Sequence, residues 1–408
     1  MDFEPSPKAV DFHARVRHFL EVNLKPVAQQ LHAQVIAAAP GADHRAWKVA
    51  PAIEALKAKA RAEGLWNLFL PDESLGAGLS LLDYASVCEE TGRYPLAPEL
   101  FNCAAPDSGN MELLWKYGSA EQKAKWLTPL LDGSIRSVFC MTEPDVASSD
   151  PTGLETTAEA AGGAVVVNGK KWWSSGLGHP TARIAIVMAK TPDPGKSRHH
   201  QHSMVLVPLD APGVEIKRML PVFGAYDPPG GHGEVHFHQV RVPEKNVIAG
   251  LGMGFEIAQG RLGPGRVHHC MRCIGAAEAA LGLMIDRGLS RKAFGRPLLE
   301  LGANREHLAD ARVAIDQARL LTLYAAWKLD ELGPLAAMTE ISAIKVVAPQ
   351  MLQKVVDVAI QIHGGGGLSD DFPLTAFFAQ ARALRLADGP DEVHKRVIAK
   401  LEIERRRQ

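Results

Sequence analysis

The stretch Ala387-Asp388-Gly389-Pro390-Asp391-Glu392-Val393-His394 gathers three carboxylates near the C-terminus. Any of them can serve as a base on charge alone. A second stretch, Phe139-Cys140-Met141-Thr142-Glu143-Pro144-Asp145-Val146-Ala147-Ser148-Ser149-Asp150, is rich in hydroxyls and backbone donors and has no P-loop lysine. It reads either as a capped turn or as a loop that lays N–H groups and hydroxyls against a polar cofactor edge. Farther on comes Lys170-Lys171-Trp172-Trp173-Ser174-Ser175-Gly176. Its Trp pair reads either as core packing or as an aromatic wall beside a planar ring, with the serines as hydrogen-bond donors.

Three composition blocks must position these residues. Residues 1–132 read as helical, with Phe12, Val16, Phe19 and Leu20 at helical spacing and Ile53, Leu56, Ala60 and Leu65 repeating it. Asp83–Thr91 reads as a helix ending near Gly92, and Glu121–Leu127 as a short one stopped before Pro129. Residues 133–247 carry short β-branched runs, including Ala164–Val167, Ile184–Met188 and Met204–Val207, and form a small β domain of sheet or barrel type. Asn168-Gly169 is a hairpin signal. Val235, Phe237, Val240 and Val242 predict a last strand pair with a slip in alternation, and Thr191–His202 an exposed hairpin tip. Residues 248–408 return to long helices. Ile341, Ile344, Ala348, Met351, Val355, Val358 and Ile362 recur every three or four residues. Ile274–Met284 and Val313–Leu329 mark two more, and two of these helices are expected to pack as an antiparallel pair.

The 408 residues include 45 Lys plus Arg against 46 Asp plus Glu, and 46% are hydrophobic. That balance fits an ordinary globular chain, argues against a nucleic-acid partner and excludes the disordered class. No apolar run is long enough for a bilayer span, and no membrane partner is expected. The polar start MDFEPSPKAV does not read as a signal or transit peptide. Five cysteines do not suggest a disulfide framework, so a cytoplasmic setting is the expectation. No metal is expected. Cys270 and Cys273 lack a second ligand pair and share a helix face, as small core residues do. His199, His200 and His202 read as solvated, and Arg405–Arg407 as a solvated tail. His232, His236 and His238 alternate on a strand without a decided role.

The M-T-E-P of Met141–Pro144 and the segment Lys170–Gly176, with Lys171, Trp173 and Ser175 in a K-x-W-x-S pattern, together resemble the acyl-CoA dehydrogenase family. Three further segments extend the resemblance over nearly the whole chain. Arg291-Lys292-Ala293-Phe294-Gly295 looks like the family's R-x-x-F-G, Gln361-Ile362-His363-Gly364-Gly365 like its Q-x-x-G-G, and Gly252-Met253-Gly254-Phe255 like its glycine-rich entry to the first long C-terminal helix. Five ordered motifs at family spacing are very specific. Within the family, M-T-E-P-D-V-A-S-S-D resembles the branch found as the C-terminal half of the vertebrate two-domain members 10 and 11.

The resemblance implies an α+β multidomain chain: an N-terminal helical domain (1–132), a middle β-barrel or sheet domain (133–247) and a C-terminal four-helix bundle (248–408). It implies FAD bound without a Rossmann domain. Met141, Thr142, Trp173 and Ser175 would lie along the isoalloxazine, Phe139 and Ser174 join the cofactor set, and Ser148 or Ser149 would lie near the cofactor or the CoA part of the substrate. Arg291, Phe294, Gln361, Gly364 and Gly365 would reach the FAD of a neighbouring subunit in a homodimer or homotetramer. Pro390 and Glu392 join the cofactor set, and Ser148, Arg266 and Gly389 the substrate set. Arg266 otherwise reads as a helix-start residue in an exposed ion pair.

Dehydrogenating an acyl-CoA to a trans-2-enoyl-CoA needs a base for the α-proton and an acceptor for the β-hydride, which FAD supplies. The family's base is a Glu just before a Gly, and Asp388 holds that position. Another branch places its Glu just before an Arg on the first long C-terminal helix, where this chain has Gly265-Arg266. An Asp shifts the carboxylate by about 1 Å, a displacement that can cost on the order of 100-fold if uncompensated. Either the backbone sits closer or the substrate differs from a plain acyl chain, as a branched or 4-substituted one does, and an electron-transfer flavoprotein is the expected electron acceptor. The rival readings are a nitroalkane or acyl-CoA oxidase of the same fold and a non-catalytic scaffold.

Overall fold

The computed structural model describes residues 3–193, 195 and 197–407. In chain order the first helices are α1 (Pro7–Phe19), α2 (Ala28–Ala37), α3 (Pro51–Ala62), α4 (Leu81–Gly92), α5 (Ala97–Leu100), α6 (Asp107–Tyr117), α7 (Ala120–Gln122) and α8 (Thr128–Asp132). The strands follow: β1 (Arg136–Cys140), β2 (Thr157–Ala160), β3 (Ala164–Ser175), β4 (Ala182–Lys190), β5 (His202–Pro208), β6 (Val214–Leu220) and β7 (His232–Pro243). Then come α9 (Gly254–Ser290), a hairpin of β8 (Lys292–Ala293) and β9 (Arg296–Pro297), α10 (Asn304–Ala336), α11 (Met338–His363), α12 (Leu374–Leu384) and α13 (Asp391–Arg407). Among the described residues, no helix is long and apolar enough to cross a membrane.

Packing divides the chain into two compact units that cut across the three composition blocks. One comprises residues 1–30, 59–101 and 263–408, the other 31–58 and 102–262. Composition follows the type of element, whereas the units follow which apolar faces meet, so the N-terminal helices are shared between them.

In the second unit, seven strands run in the order β1-β4-β2-β3-β7-β6, with β5 on the outer side of β4. β1 and β2 both bridge β4 and β3, β1 through Phe139 opposite Ser175 and β2 through Thr157 opposite Asn168. The loop 141–156 therefore leaves the sheet between two strands that occupy one position in it. Val138, Val167, Val187, Val205, Val235 and Phe237 are buried in the core beneath.

Three local expectations change here. Asn168-Gly169 lies inside β3, at a shift of register, and makes no hairpin. Gly169 has φ +143°, and a Cβ there would come within 2.7 Å of the Thr156 Cα, so backbone proximity rather than a turn requires the glycine. The predicted last strand pair is one strand, β7. Gln239 at φ +51° supplies the slip, so Val235, Phe237, Val240 and Val242 all remain buried. Pro129 does not stop its helix. A π-helical turn at Lys123–Leu127 precedes it, Pro129 enters the first turn of α8, and Gly133 at φ +75° ends the run. The Thr191–His202 expectation fits the antiparallel pairing of β4 with β5, with Lys190 opposite His202. Pro194 and Lys196 of that loop lie outside the described residues.

In the first unit, α10, α11, α12 and α13 pack as a helical group with the C-terminal part of α9 and with α4. Gly275 on α9 faces the backbone of α4 so closely that a Cβ would lie 1.9 Å from the Glu89 carbonyl oxygen. Arg319 of α10 donates to both Glu89 oxygens at 2.9 Å and also to Glu278 of α9. Cys270 and Cys273 are buried in this core, and the Cys270 Sγ donates to the Ile344 carbonyl at 3.4 Å.

Candidate active site

Each unit carries some of the expected site residues. In the β unit, the loop after β1 is tied to β3 by a buried ion pair. The Lys171 Nζ donates to Glu143 Oε1 at 2.7 Å and to the Met141 carbonyl at 2.8 Å. Glu143 also accepts from the Glu155 and Thr156 N–H groups at 2.7 and 3.0 Å. Burial pushes the Lys171 ammonium down to about 8, with the Glu143 charge opposing. Burial also opposes the Glu143 charge, but Lys171 and the backbone donors outweigh it and hold the carboxyl below its usual range. The Trp172 N–H donates to the Thr142 carbonyl at 2.9 Å, a second tie between strand and loop.

These ties fix which residues face outward. Trp173 has φ +50° at a register shift in β3 and keeps 40% of its surface exposed. Its ring lies 6.4 Å from Trp172 and 5.8 Å from His232. The shift sends Lys171 and Ser174 inward and leaves Ser175 half-buried. Ser174, expected in the cofactor set, is fully buried beside Cys140. Ser175 Oγ hydrogen-bonds His232 Nδ1 at 2.9 Å, and His232 Nε2 lies 3.2 Å from Asp227 Oδ2. The sequence reading named His232 on a strand without deciding its role, and its cross-strand position opposite Ser175 is what brings it here.

Met141 is half-buried and Thr142 exposed. Ser148 Oγ accepts from the Glu143 N–H at 2.8 Å, so this hydroxyl closes its own loop, while Ser149 is exposed. Phe139 is half-buried under the Arg261 guanidinium, 3.8 Å from its ring centroid. Arg261 Nε donates to Asn110, whose amide donates to Ser137 Oγ at 2.9 Å. Nearby on α6, burial pushes the Glu112 carboxyl up to about 8, with Arg261 and Lys116 opposing. Glu215, His236 and His238 bring ligand-type atoms within 4.8 Å of one another. Lys217 and Arg218 pair with the carboxylates of Glu215 and Glu234 beside them. His202, expected to be solvated, is buried in β5 with its ring 5.1 Å from Phe255.

In the helical unit, the three loop carboxylates separate. Asp391 is buried and its Oδ2 accepts from Gln350 and Arg385, both at 2.9 Å. Glu392 is exposed on the first turn of α13. Asp388 has a side chain 24% exposed and stands at φ +55°. Its carbonyl accepts from Arg266 Nε at 3.2 Å, and His394 Nε2 lies at the same distance from that oxygen. Arg266 is thus a half-buried residue inside α9, bound to the loop backbone, which replaces both the helix-start reading and the exposed ion pair. Lys345 donates to the Leu384 and Ala387 carbonyls. Gly389 has φ +99°, and a Cβ there would come 2.8 Å from His394 Nε2. Pro390 is half-buried between them. Burial pushes the His394 imidazole down to about 4, aided by the Arg266 and Lys345 charges.

Other expected contacts lie on open surface of the same unit. Phe294 and Gly295, at φ +50° and +79°, form the two-residue turn of the β8–β9 hairpin, and Phe294 is 97% exposed. Arg291, Gln361, Gly364 and Gly365 are exposed, and a Cβ at either glycine would meet no protein atom within 4 Å. His363 is held by the Ala359 carbonyl at 2.8 Å and packs on Phe372. Within the β unit, the exposed Trp173 ring with the Ser175 hydroxyl beside it has the chemistry to take a planar ring.

Three family models match the chain. "Acyl-CoA dehydrogenase, N-terminal domain" matches residues 6–134, the middle domain 138–240 and the C-terminal domain 252–402. The chain is 53% identical to mouse acyl-CoA dehydrogenase family member 11 over 98% of its own length and 51% of that relative's. It spans about half the length of the first curated relatives it matches. It is 51% identical to FadE2 of Mycobacterium tuberculosis, over 99% of this chain and 98% of that one. A solved structure of a putative acyl-CoA dehydrogenase from Mycobacterium abscessus is 58% identical, with a TM-score of 0.94, covering 98% of this chain and 99% of that one. The chain belongs to the acyl-CoA dehydrogenase family.

Proposed function

We propose that this protein dehydrogenates an acyl-CoA thioester to the trans-2-enoyl-CoA, with Asp388 taking the α-proton. The observation that carries the reading is the separation of the loop carboxylates. Asp391 is engaged by Arg385 and Gln350, Glu392 stands on the outer helix turn, and Asp388 is half-buried on a backbone anchored by Arg266 and His394. FAD, when bound, accepts the hydride from the β-carbon. Trp173, Ser175, Met141 and Thr142 are the β-unit residues that would hold its ring. The Asp388 N–H would donate to the thioester oxygen, where charge develops during proton removal.

The anchoring of the Asp388 carbonyl fixes the main chain while its short side chain stays partly open to solvent. That supports a substrate with a substituent on the acyl chain as the compensation for the missing methylene. The exposed Phe294 turn and the open Gly364-Gly365 turn support a homo-oligomer in which these residues reach a neighbour's cofactor. An electron-transfer flavoprotein is the proposed acceptor. The test is anaerobic bleaching of the bound flavin by straight, branched and 4-hydroxylated acyl-CoAs, followed by admission of air. Bleaching by a thioester with slow reoxidation supports the dehydrogenase, rapid reoxidation supports an oxidase, and no bleaching by any thioester contradicts the proposal.

A further inference from the structure

Asp388 has a neighbour that proton abstraction alone does not use. Arg266 and His269 stand one turn apart on α9 and so share a face. Arg266 holds the Asp388 carbonyl, and His269 Nε2 lies 3.6 Å from the carboxylate Oδ2. The two side chains are 23% and 24% exposed, so the ring and the carboxylate share a solvent edge. Contacts of this kind tighten when substrate closes over a site.

Other charged and titratable groups surround the pair. Arg266, His268 and Cys270 come from α9, Lys345 from α11 and His394 from α13. Burial holds His268 and His394 in their neutral forms near neutral pH. Lys345 is bound to the Leu384 and Ala387 carbonyls. The Arg266 and Lys345 charges oppose a further cation, and the Asp388 carboxylate favours one. His269, on the solvent edge, is therefore the imidazole placed to exchange a proton with both Asp388 and water.

We propose that His269 acts through Asp388 as its proton relay, receiving on Nε2 the proton that Asp388 removes from the substrate and passing it to solvent. The inference rests on Asp388 being the base. In the relay step the Asp388 O–H bond breaks as the Nε2–H bond forms, and the bonding pair stays on the carboxylate oxygen. No electron is transferred, because the substrate's oxidation is completed by hydride loss from the β-carbon to FAD. In water an ordinary imidazole is a stronger base than an ordinary aspartate carboxylate by on the order of 100-fold. Passing the proton on returns the Asp388 carboxylate to its charged form.

Two measurements on the FAD-loaded protein test this. In the first, 15N-histidine NMR follows the imidazoles from pH 5 to 9, with the His269 resonance identified by its loss in His269→Gln. Asp388→Asn is expected to lower the His269 midpoint by about one pH unit, because a neighbouring negative charge is removed. An unchanged midpoint overturns the pairing. In the second, anaerobic stopped-flow reduction uses the acyl-CoA that bleaches the wild-type flavin fastest among straight, branched and 4-hydroxylated probes. His269→Gln is expected to keep FAD content and melting temperature, slow reduction about tenfold or more near pH 7, and move its pH midpoint toward the carboxylate range. A wild-type rate and pH profile in His269→Gln, with Asp388→Asn inactive, overturns the relay alone. Wild-type reduction in Asp388→Asn overturns the base assignment, and the relay with it.

Discussion

The strand around Trp173 and the loop around Asp388 are both held by charge, in opposite ways. At Trp173 a lysine and a glutamate pair with each other inside the β unit, and their shared hydrogen bonds fix loop and strand together. At Asp388 the cations Arg266 and Lys345 bind backbone carbonyls instead, so they fix the loop through its main chain. The first arrangement fixes a strand face through paired side chains, whereas the second fixes a main chain and leaves the Asp388 side chain partly open to solvent.

The largest expected effect comes from breaking the buried pair. Lys171→Met leaves Glu143 charged and without its cation, and should cost about 3–5 kcal/mol of stability in the β unit, read as a lowered melting temperature. Adding Glu143→Gln should recover part of that loss. An unchanged melting temperature in the single variant would mean that the pair does not hold this face.

Two smaller effects should separate the regions by pH. His394 has a folded-state value near 4, below the ordinary 6.5. Its contribution to stability is therefore full above about pH 6.5 and is lost as pH falls through about 4. His394→Gln should show less acid destabilisation over that window in thermal melts. Glu112 is raised to about 8 from 4.5. Its contribution is full below about pH 4.5 and is lost as pH rises through about 8. Glu112→Gln should flatten the decline in stability between those values, and parallel slopes for wild type and variant would remove Glu112 from the account.

The sequence made the element types legible because helical and alternating periodicities are local. Ile341 to Ile362 does become α11, and the β-branched runs become strands. Glycine and proline signals were less faithful, since their cause can lie in a distant contact. Gly169 answers to the backbone of Thr156, and Pro129 follows a π turn. The candidate base could be located by its motif, but its environment could not. Arg266, His269, Lys345 and His394 come from three helices, and only packing brings them to Asp388. The burial of Ser174 likewise depends on the register shift at Trp173, which no run of residue types announces.

The most direct measurement of the central claim is the anaerobic reduction of bound FAD by an acyl-CoA in Asp388→Asn. The variant is expected to bind FAD as the wild type does and to reduce it about 10²- to 10⁴-fold more slowly, the range for loss of a general base. Reduction at the wild-type rate would contradict the account.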